Sequence, residues 1–187
     1  EAEARALGVT EGDPITPKKV LVDFAPGLMA GRAIDDRAGC AALLDAALRL
    51  KSDAFRGKTV TFAWDVQEET GLIGAAELAK TLKPDFVFAI DTFVSTDSPL
   101  ESKRFGHLPV GKGAVLRAVD SSNVTPRTEV ARVVAIAKKR GIPVQVGNSR
   151  GGNDGSVFLS GGAVDIPLSW PGSYAHSLIE KIDRRDL

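Results

Sequence analysis

Apolar residues recur at helical spacing in three parts of the chain. The pattern is clearest over residues 127–140, where apolar side chains return every three or four positions and Gly141 follows as a terminating residue. The same periodicity predicts a helix over 38–50. A shorter helix is predicted over 74–82, ahead of Pro84. The face expected to be buried in the 38–50 helix consists of Ala41, Leu44, Ala47 and Leu48.

Short continuous runs of apolar and β-branched residues separate these helices and predict strands. The predicted strands are residues 59–66, 85–91, 113–119, 142–147 and 165–170, with an edge strand at 20–24. Residues 1–30 are otherwise rich in glycine and proline and are typical of connecting segments. Strands that alternate with helices predict an α/β layered domain with a mostly parallel central sheet.

Composition narrows the possible functions but does not select one. The 187 residues are 43% hydrophobic and 26% charged, as in an ordinary globular domain. Lysine plus arginine equals aspartate plus glutamate, so charge gives no reason to expect nucleic acid or an anionic membrane as partner. No apolar run reaches the roughly 18 residues of a membrane span. The single cysteine, Cys40, excludes an internal disulfide and fits a cytoplasmic location.

Acidic residues follow the predicted strands or precede a predicted helix. They are Glu68 and Glu69 after residues 59–66, Asp91 at the end of 85–91, and Asp35 and Asp36 before the 38–50 helix. Ligands of parallel sheets gather beyond the carboxyl ends of strands, and a buried carboxylate is costly unless it is paired or bound to a metal. With His176, these acids are consistent with a divalent metal site. Helix capping by Asp36 and simple solvent exposure remain open alternatives.

Six segments occur in an order that resembles one peptidase family. They are AIDDRAGCAALLDA, VQEETGLIGA, FVFAIDT, VGKGA, GGNDGS and SYAHS. Together they resemble the metallo-aminopeptidases that include the dodecameric TET peptidases and the glutamyl aminopeptidases, some of which carry an endoglucanase label. The resemblance extends from residue 2 to residue 187. It implies a three-layer, zinc-peptidase-like catalytic domain.

The resemblance also implies a role for each acid. Asp35 would bridge two divalent metal ions, either zinc or cobalt. Glu69 and His176 would bind one ion, Asp91 would bind the other, and Glu68 would act as the general base. The implied activity is removal of N-terminal residues from peptide substrates by a homo-oligomer, from dimer to dodecamer. The alternative is a non-catalytic or one-metal relative that acts as a structural or binding subunit.

The GGNDGS and VGKGA segments each have two interpretations. GGNDGS favours a tight turn, and by resemblance it would also form a substrate-binding loop through Gly152 and Asp154. VGKGA indicates a turn that enters a strand, because the spacing of a phosphate-binding loop is absent. The chain departs from the family pattern at Asn153, where threonine is usual, and at Ser173, where arginine is usual.

The family's H-x-D motif, which supplies the histidine that partners Asp91, does not occur in this sequence. The other histidine, His107, lies in a different context. These features predict part of a longer enzyme. Residues 1–30 are expected to be a remnant of the junction with an inserted dimerisation domain, and residues 31–187 a partial catalytic domain.

Overall fold

A seven-stranded sheet forms the centre of the fold. The computed structural model describes residues 1–16, 18–51, 55–99 and 106–187. The strands of the main sheet are β1 (Leu21–Ala25), β2 (Leu28–Gly31), β4 (Ile90–Val94), β5 (Ala114–Val119), β6 (Val144–Asn148), β8 (Leu168–Ser173) and β9 (Glu180–Asp183). They lie in the order β1-β2-β9-β8-β5-β6, and β4 also pairs with β8. A separate two-stranded parallel sheet pairs β3 (Phe86–Val87) with β7 (Val164–Asp165).

The three helices predicted from periodicity are confirmed. They are α2 (Arg37–Arg49), α3 (Ile73–Thr81) and α4 (Arg127–Arg140), preceded by a short α1 (Ala2–Ala6). Helix α4 ends at Gly141, which adopts the left-handed conformation that terminates many helices. Two 3₁₀ helices, Asp154–Gly161 and Arg184–Asp186, complete the helical elements of the described residues. None of the described helices combines the length and apolar character needed to cross a membrane.

The α/β class is confirmed, but the expectation of a mostly parallel sheet is wrong. The pairings β1–β2, β2–β9, β8–β9 and β5–β8 are antiparallel, whereas β4–β8 and β5–β6 are parallel. Strands β2 and β9 lie within the antiparallel part, and neither was predicted. Their sequences, LMAG and EKID, are too short and too mixed to show a clear strand pattern.

Three predicted strands differ in the structure. Residues 59–66 are not assigned as a strand, because β-branched content alone cannot supply the neighbouring chain that a ladder needs. Residues 85–91 divide between β3 and β4, so that Asp91 is the second residue of a strand rather than its end. Residues 165–170 divide between β7 and β8, with Ile166 and Pro167 between the two sheets. The predicted edge strand at 20–24 is confirmed as β1, at the end of the main sheet.

Helix α2 packs by its N-terminal turn rather than by the predicted apolar face. Leu44 is 51% exposed and Leu48 is 77% exposed, whereas Ala38 and Gly39 are buried. Ala38 belongs to a core cluster with Ile34, Trp170 and Ile182. This cluster fixes the start of α2 against β8 and β9, which places the preceding Asp35 and Asp36 beside the sheet.

Candidate metal centre

Three predicted ligands from distant parts of the chain lie together. Nε2 of His176 is 3.3 Å from Oδ2 of Asp35 and 3.1 Å from Oε2 of Glu69. Asp35 precedes α2, Glu69 lies in the turn before α3, and His176 lies between β8 and β9. The ligand atoms that these residues offer are all within 4.8 Å of one another, as a shared metal ion requires.

Asp35 belongs to a second group as well. One oxygen each from Asp35, Asp36 and Asp91 also lie within 4.8 Å of one another. Asp36 is the residue before α2. Its side chain lies beside the Gly39 amide, which opposes the increase that burial causes in the Asp36 pKa, although no side-chain hydrogen bond meets the capping geometry. Trp170 Nε1 donates to Asp36 Oδ1 at 3.0 Å. The peptide bond between Asp35 and Asp36 is cis. Asp35 is thus the one residue that the two groups of ligand atoms share among the described residues.

Burial and crowding of like charges raise the pKa values of Asp35 and Asp36. Burial raises the pKa of Asp35 to about 7, with Asp91, Glu69 and Glu180 adding to the effect and His176 opposing it. Burial and Asp91 likewise raise the pKa of Asp36 to about 8, although the Trp170 hydrogen bond works against the shift. A divalent cation would relieve this repulsion, and carboxylate oxygens with an imidazole nitrogen are suitable donors for zinc or cobalt. The residues present therefore fit a metal.

Glu68 lies beside the two groups without belonging to either among the described residues. Burial raises its pKa, Asp91 and Glu69 raise it further, and Arg117 and His176 lower it. The backbone turns directly after it, since the amides of Gly71 and Leu72 both donate to the Glu68 carbonyl. The two adjacent glutamates therefore lie at the start of this turn.

Asp91 is held by a buried arginine that the sequence pattern did not identify. Nη2 of Arg117 is 2.6 Å from Oδ2 of Asp91, and the Arg117 side chain is only 2% exposed. The same guanidinium donates to the Gly152 carbonyl at 2.6 Å and to Ser169 Oγ at 2.8 Å. The sequence did contain one sign of a buried arginine, because Arg117 is the charged residue in the otherwise apolar run AVLRAV of β5.

The GGNDGS segment approaches the centre through these contacts. Gly152 is linked to Asp91 by Arg117, and Asp154 begins a 3₁₀ helix. Burial raises the pKa of Asp154 to about 7, and repulsion from Asp65, Glu68 and Asp91 contributes to the same increase. Asn153 is fully buried, and its side chain donates to Asp120 Oδ2 at 2.7 Å. The segment is therefore near the acids, and substrate binding by Gly152 and Asp154 stays a prediction.

Two further residues complete the description of the site. Glu180 at the start of β9 is buried and accepts hydrogen bonds from the backbones of Asp35 and His176, although the local pattern gave no sign of this. His107 is exposed and belongs to neither ligand group within the described residues. It therefore does not replace the histidine of the H-x-D motif.

Comparisons with known proteins identify the family of this chain. The model of the family described as M42 glutamyl aminopeptidase matches residues 1–187. The glutamyl aminopeptidase of Lactococcus lactis subsp. cremoris is 30% identical over 179 residues, which are 94% of this chain and 49% of that protein.

Solved structures of similar proteins share the fold. The Pyrococcus horikoshii TET1 peptidase, which can assemble into a tetrahedron or a large octahedral shell, is 38% identical with a TM-score of 0.81. The match covers 90% of this chain and 49% of that one. An aminopeptidase from the archaeon Desulfurococcus kamchatkensis is 28% identical with a TM-score of 0.83, over 100% of this chain and 53% of that one.

The chain thus spans about half the length of the curated relatives it matches. The family match nevertheless extends over all 187 residues, and it confirms the resemblance carried by the six sequence segments. The chain belongs to the M42 glutamyl aminopeptidase family.

Proposed function

We propose that this chain carries most of the catalytic centre of a di-metal aminopeptidase that removes N-terminal residues from peptides. The observation that carries the proposal is the position of Asp35, which belongs to both groups of potential ligand atoms. A carboxylate shared between two groups is the feature expected of a bridging ligand in a two-metal hydrolase. The names of the family and of its similar members support the aminopeptidase activity.

Each acid then has a defined task. Divalent ions, when bound, polarise the scissile carbonyl and lower the pKa of a water molecule. Asp35 would face both ions, with Glu69 and His176 on one side and Asp91 on the other. Glu68 would accept a proton from the attacking water and donate it to the leaving amine. Burial and acidic neighbours raise its pKa, which makes its carboxylate a stronger base.

The metals and the assembly are part of the same proposal. Carboxylate and imidazole donors suit both zinc and cobalt, so the donor set supports either ion. The ability of the Pyrococcus horikoshii TET1 peptidase to form shells supports a homo-oligomer for this protein. Gly152 and Asp154 would contact the peptide substrate, because Arg117 connects their segment to Asp91.

A one-metal centre is a second candidate, supported by the uneven composition of the two groups. The group of Asp35, Glu69 and His176 contains an imidazole. The other group holds carboxylates alone, and Asp36 and Asp91 already accept hydrogen bonds from Trp170 and Arg117. Elemental analysis of the intact enzyme separates the candidates: two zinc or cobalt ions per chain support the first, and one ion per chain supports the second.

The role of Glu68 is tested by Glu68→Gln in the intact enzyme. The amide cannot accept the proton of the attacking water, so we expect turnover of aminoacyl chromogenic substrates to fall by about 100-fold or more. Metal content should equal that of the wild type, because Glu68 is in neither ligand group. Glu77→Gln on the exposed face of α3 is the matched control and should retain wild-type turnover. Near-normal hydrolysis by Glu68→Gln would rule out the general-base assignment.

A further inference from the structure

Glu180 is a buried carboxylate that hydrogen bonds to both sides of the candidate metal centre. It is 4% exposed. Its Oε2 accepts from the backbone amide of Ile34 and from that of Asp35 at 2.8 Å. Its Oε1 accepts from the backbone amide of His176 at 3.2 Å. One side chain therefore joins two ligand-bearing segments that are 141 positions apart in the sequence.

The sheet explains how Glu180 reaches both segments. In the antiparallel pairing of β2 with β9, Glu180 lies opposite Gly31, the last residue of β2. The chain leaves β2 at that point and reaches Asp35 four residues later, while His176 lies four residues before Glu180. The pairing of Gly31 with Glu180 thus brings the Glu180 side chain within reach of the backbone amides of both Asp35 and His176.

Each of the two segments contains a residue in the left-handed backbone conformation, next to or at an amide that donates to Glu180. His176 has φ of 61°, and Ala33, just before Ile34, has φ of 49°. The left-handed region is unfavourable for a residue with a side chain, so such conformations persist only where the surroundings hold them. The amides of His176 and Ile34 both donate to Glu180, which helps to hold the two conformations, and the Arg37 side chain also donates to the Ala33 carbonyl.

We propose that Glu180 is a positioning residue that sets the separation of Asp35 and His176 and thereby the metal affinity of the centre. The proposal rests on the proposed function, because it takes Asp35 and His176 as ligands. Glu180 acts through the backbone: its two oxygens already accept three amides, and it is absent from both ligand groups of the described residues. Residues that orient metal ligands without contacting the metal themselves are commonly needed for tight metal binding.

The test compares Glu180→Gln with Asp186→Asn in the intact enzyme. Glutamine retains one acceptor oxygen and turns an NH₂ group toward backbone amides, so the two segments lose their common anchor. Zinc affinity, measured by competition with a chelating indicator, should fall by about 10–100-fold. Asp186 is an equally buried carboxylate that accepts two backbone amides, from Gly111 at 2.6 Å and Gly113 at 2.7 Å. Asp186→Asn should therefore lower thermal stability while retaining wild-type zinc affinity.

Two further measurements make every outcome decisive. The absorption spectrum of the cobalt-loaded protein should change in Glu180→Gln and stay unchanged in Asp186→Asn, because it reports ligand geometry rather than stability. Glu180→Asp, which keeps an acceptor but has a shorter reach, should bind zinc with intermediate affinity, and it serves as the test if glutamine prevents folding.

The possible failures are distinguishable. If the wild type binds zinc and the Glu180 variants bind it equally well, the positioning role is overturned and the proposed function stands. If Asp186→Asn loses as much affinity as Glu180→Gln, the effect is general destabilisation and the positioning role is again overturned. A wild-type enzyme that binds neither zinc nor cobalt overturns the proposed function itself.

Discussion

The buried Arg117 side chain joins Asp91 to two other segments of the chain, so its replacement should lower the free energy of unfolding. Its guanidinium contacts Asp91, Gly152, Ser169 and the Thr92 carbonyl, and its side chain is almost fully buried. Arg117→Met fills similar space but leaves the Asp91 carboxylate without its cation. Breaking a buried ion pair from one side costs about 3–5 kcal/mol. We expect a loss of that size in the free energy of unfolding, measured by urea denaturation.

The matched control is Arg132→Met on α4. Arg132 forms a comparable contact with Glu129 at 3.1 Å, but its side chain is 63% exposed. Exposed pairs contribute about 0–1 kcal/mol, so this variant should be close to the wild type. Equal effects of the two substitutions would show that burial of Arg117 does not determine its contribution.

Residues of the centre differ in how far the sequence could reveal them. Asp35, Glu69 and His176 belong to recognisable segments, and the structure brings them together as expected. Arg117 and Glu180 belong to no such segment. Their partners are far away in sequence, since Glu180 contacts an amide 146 positions distant. Local pattern cannot encode such a contact, because it depends on which strands become neighbours.

The turn that leads into β5 illustrates how an element depends on one residue. Gly113 has φ of 100°, and a Cβ atom there would lie 2.3 Å from the Pro143 carbonyl oxygen. Gly113→Ala therefore adds a backbone clash to the cost of a left-handed conformation. We expect the free energy of unfolding to fall by more than about 2 kcal/mol, since strained backbone alone costs about 1–3 kcal/mol. Thermal or urea unfolding measures this loss.

Gly141 at the end of α4 provides the control for Gly113. Its φ is 65°, and apart from its own chain neighbours no described residue has an atom within 4 Å of the position that a Cβ would occupy. Gly141→Ala should cost only the conformational strain, about 1 kcal/mol. If both alanine variants lose the same stability, steric contact with Pro143 is not what requires glycine at position 113.

Helices were predictable as elements, whereas sheet partners were not. Each of α2, α3 and α4 makes its own hydrogen bonds, so periodicity and terminating residues suffice to locate it. Residues 59–66 have strand composition, yet Val60, Trp64 and Val66 are exposed and the segment is not assigned as a strand. A strand is completed only by a neighbour, and composition does not identify that neighbour.

At the scale of the whole molecule, a neutral chain contains a strongly acidic region. Positive and negative residues balance at 24 each, but several partly buried carboxylates lie near one another around Asp35. Net charge therefore conceals the electrostatic feature on which the proposed chemistry depends. Such a region should make the stability of the metal-free protein depend on pH in an unusual direction.

The expected direction follows from the raised pKa values of the acids. Burial raises the pKa of Asp35 and Asp154 to about 7 and that of Asp36 to about 8, from 3.8. Between these limits the folded protein binds more protons than the unfolded chain, so its stability decreases as pH rises. Arg185 lowers the pKa of Asp183, whose stabilising contribution is lost only as pH falls below about 4, outside this window.

We therefore expect the metal-free protein, prepared with a chelator, to unfold at a lower temperature at pH 8 than at pH 5. Added zinc should raise the unfolding temperature more at pH 8 than at pH 5, because protons compete with the metal for the same carboxylates. Scanning calorimetry of the intact protein at both pH values, with and without zinc, measures both effects. A metal-free protein that becomes more stable from pH 5 to pH 8 would contradict the view that burial and acidic neighbours raise the pKa values of these acids in the folded state.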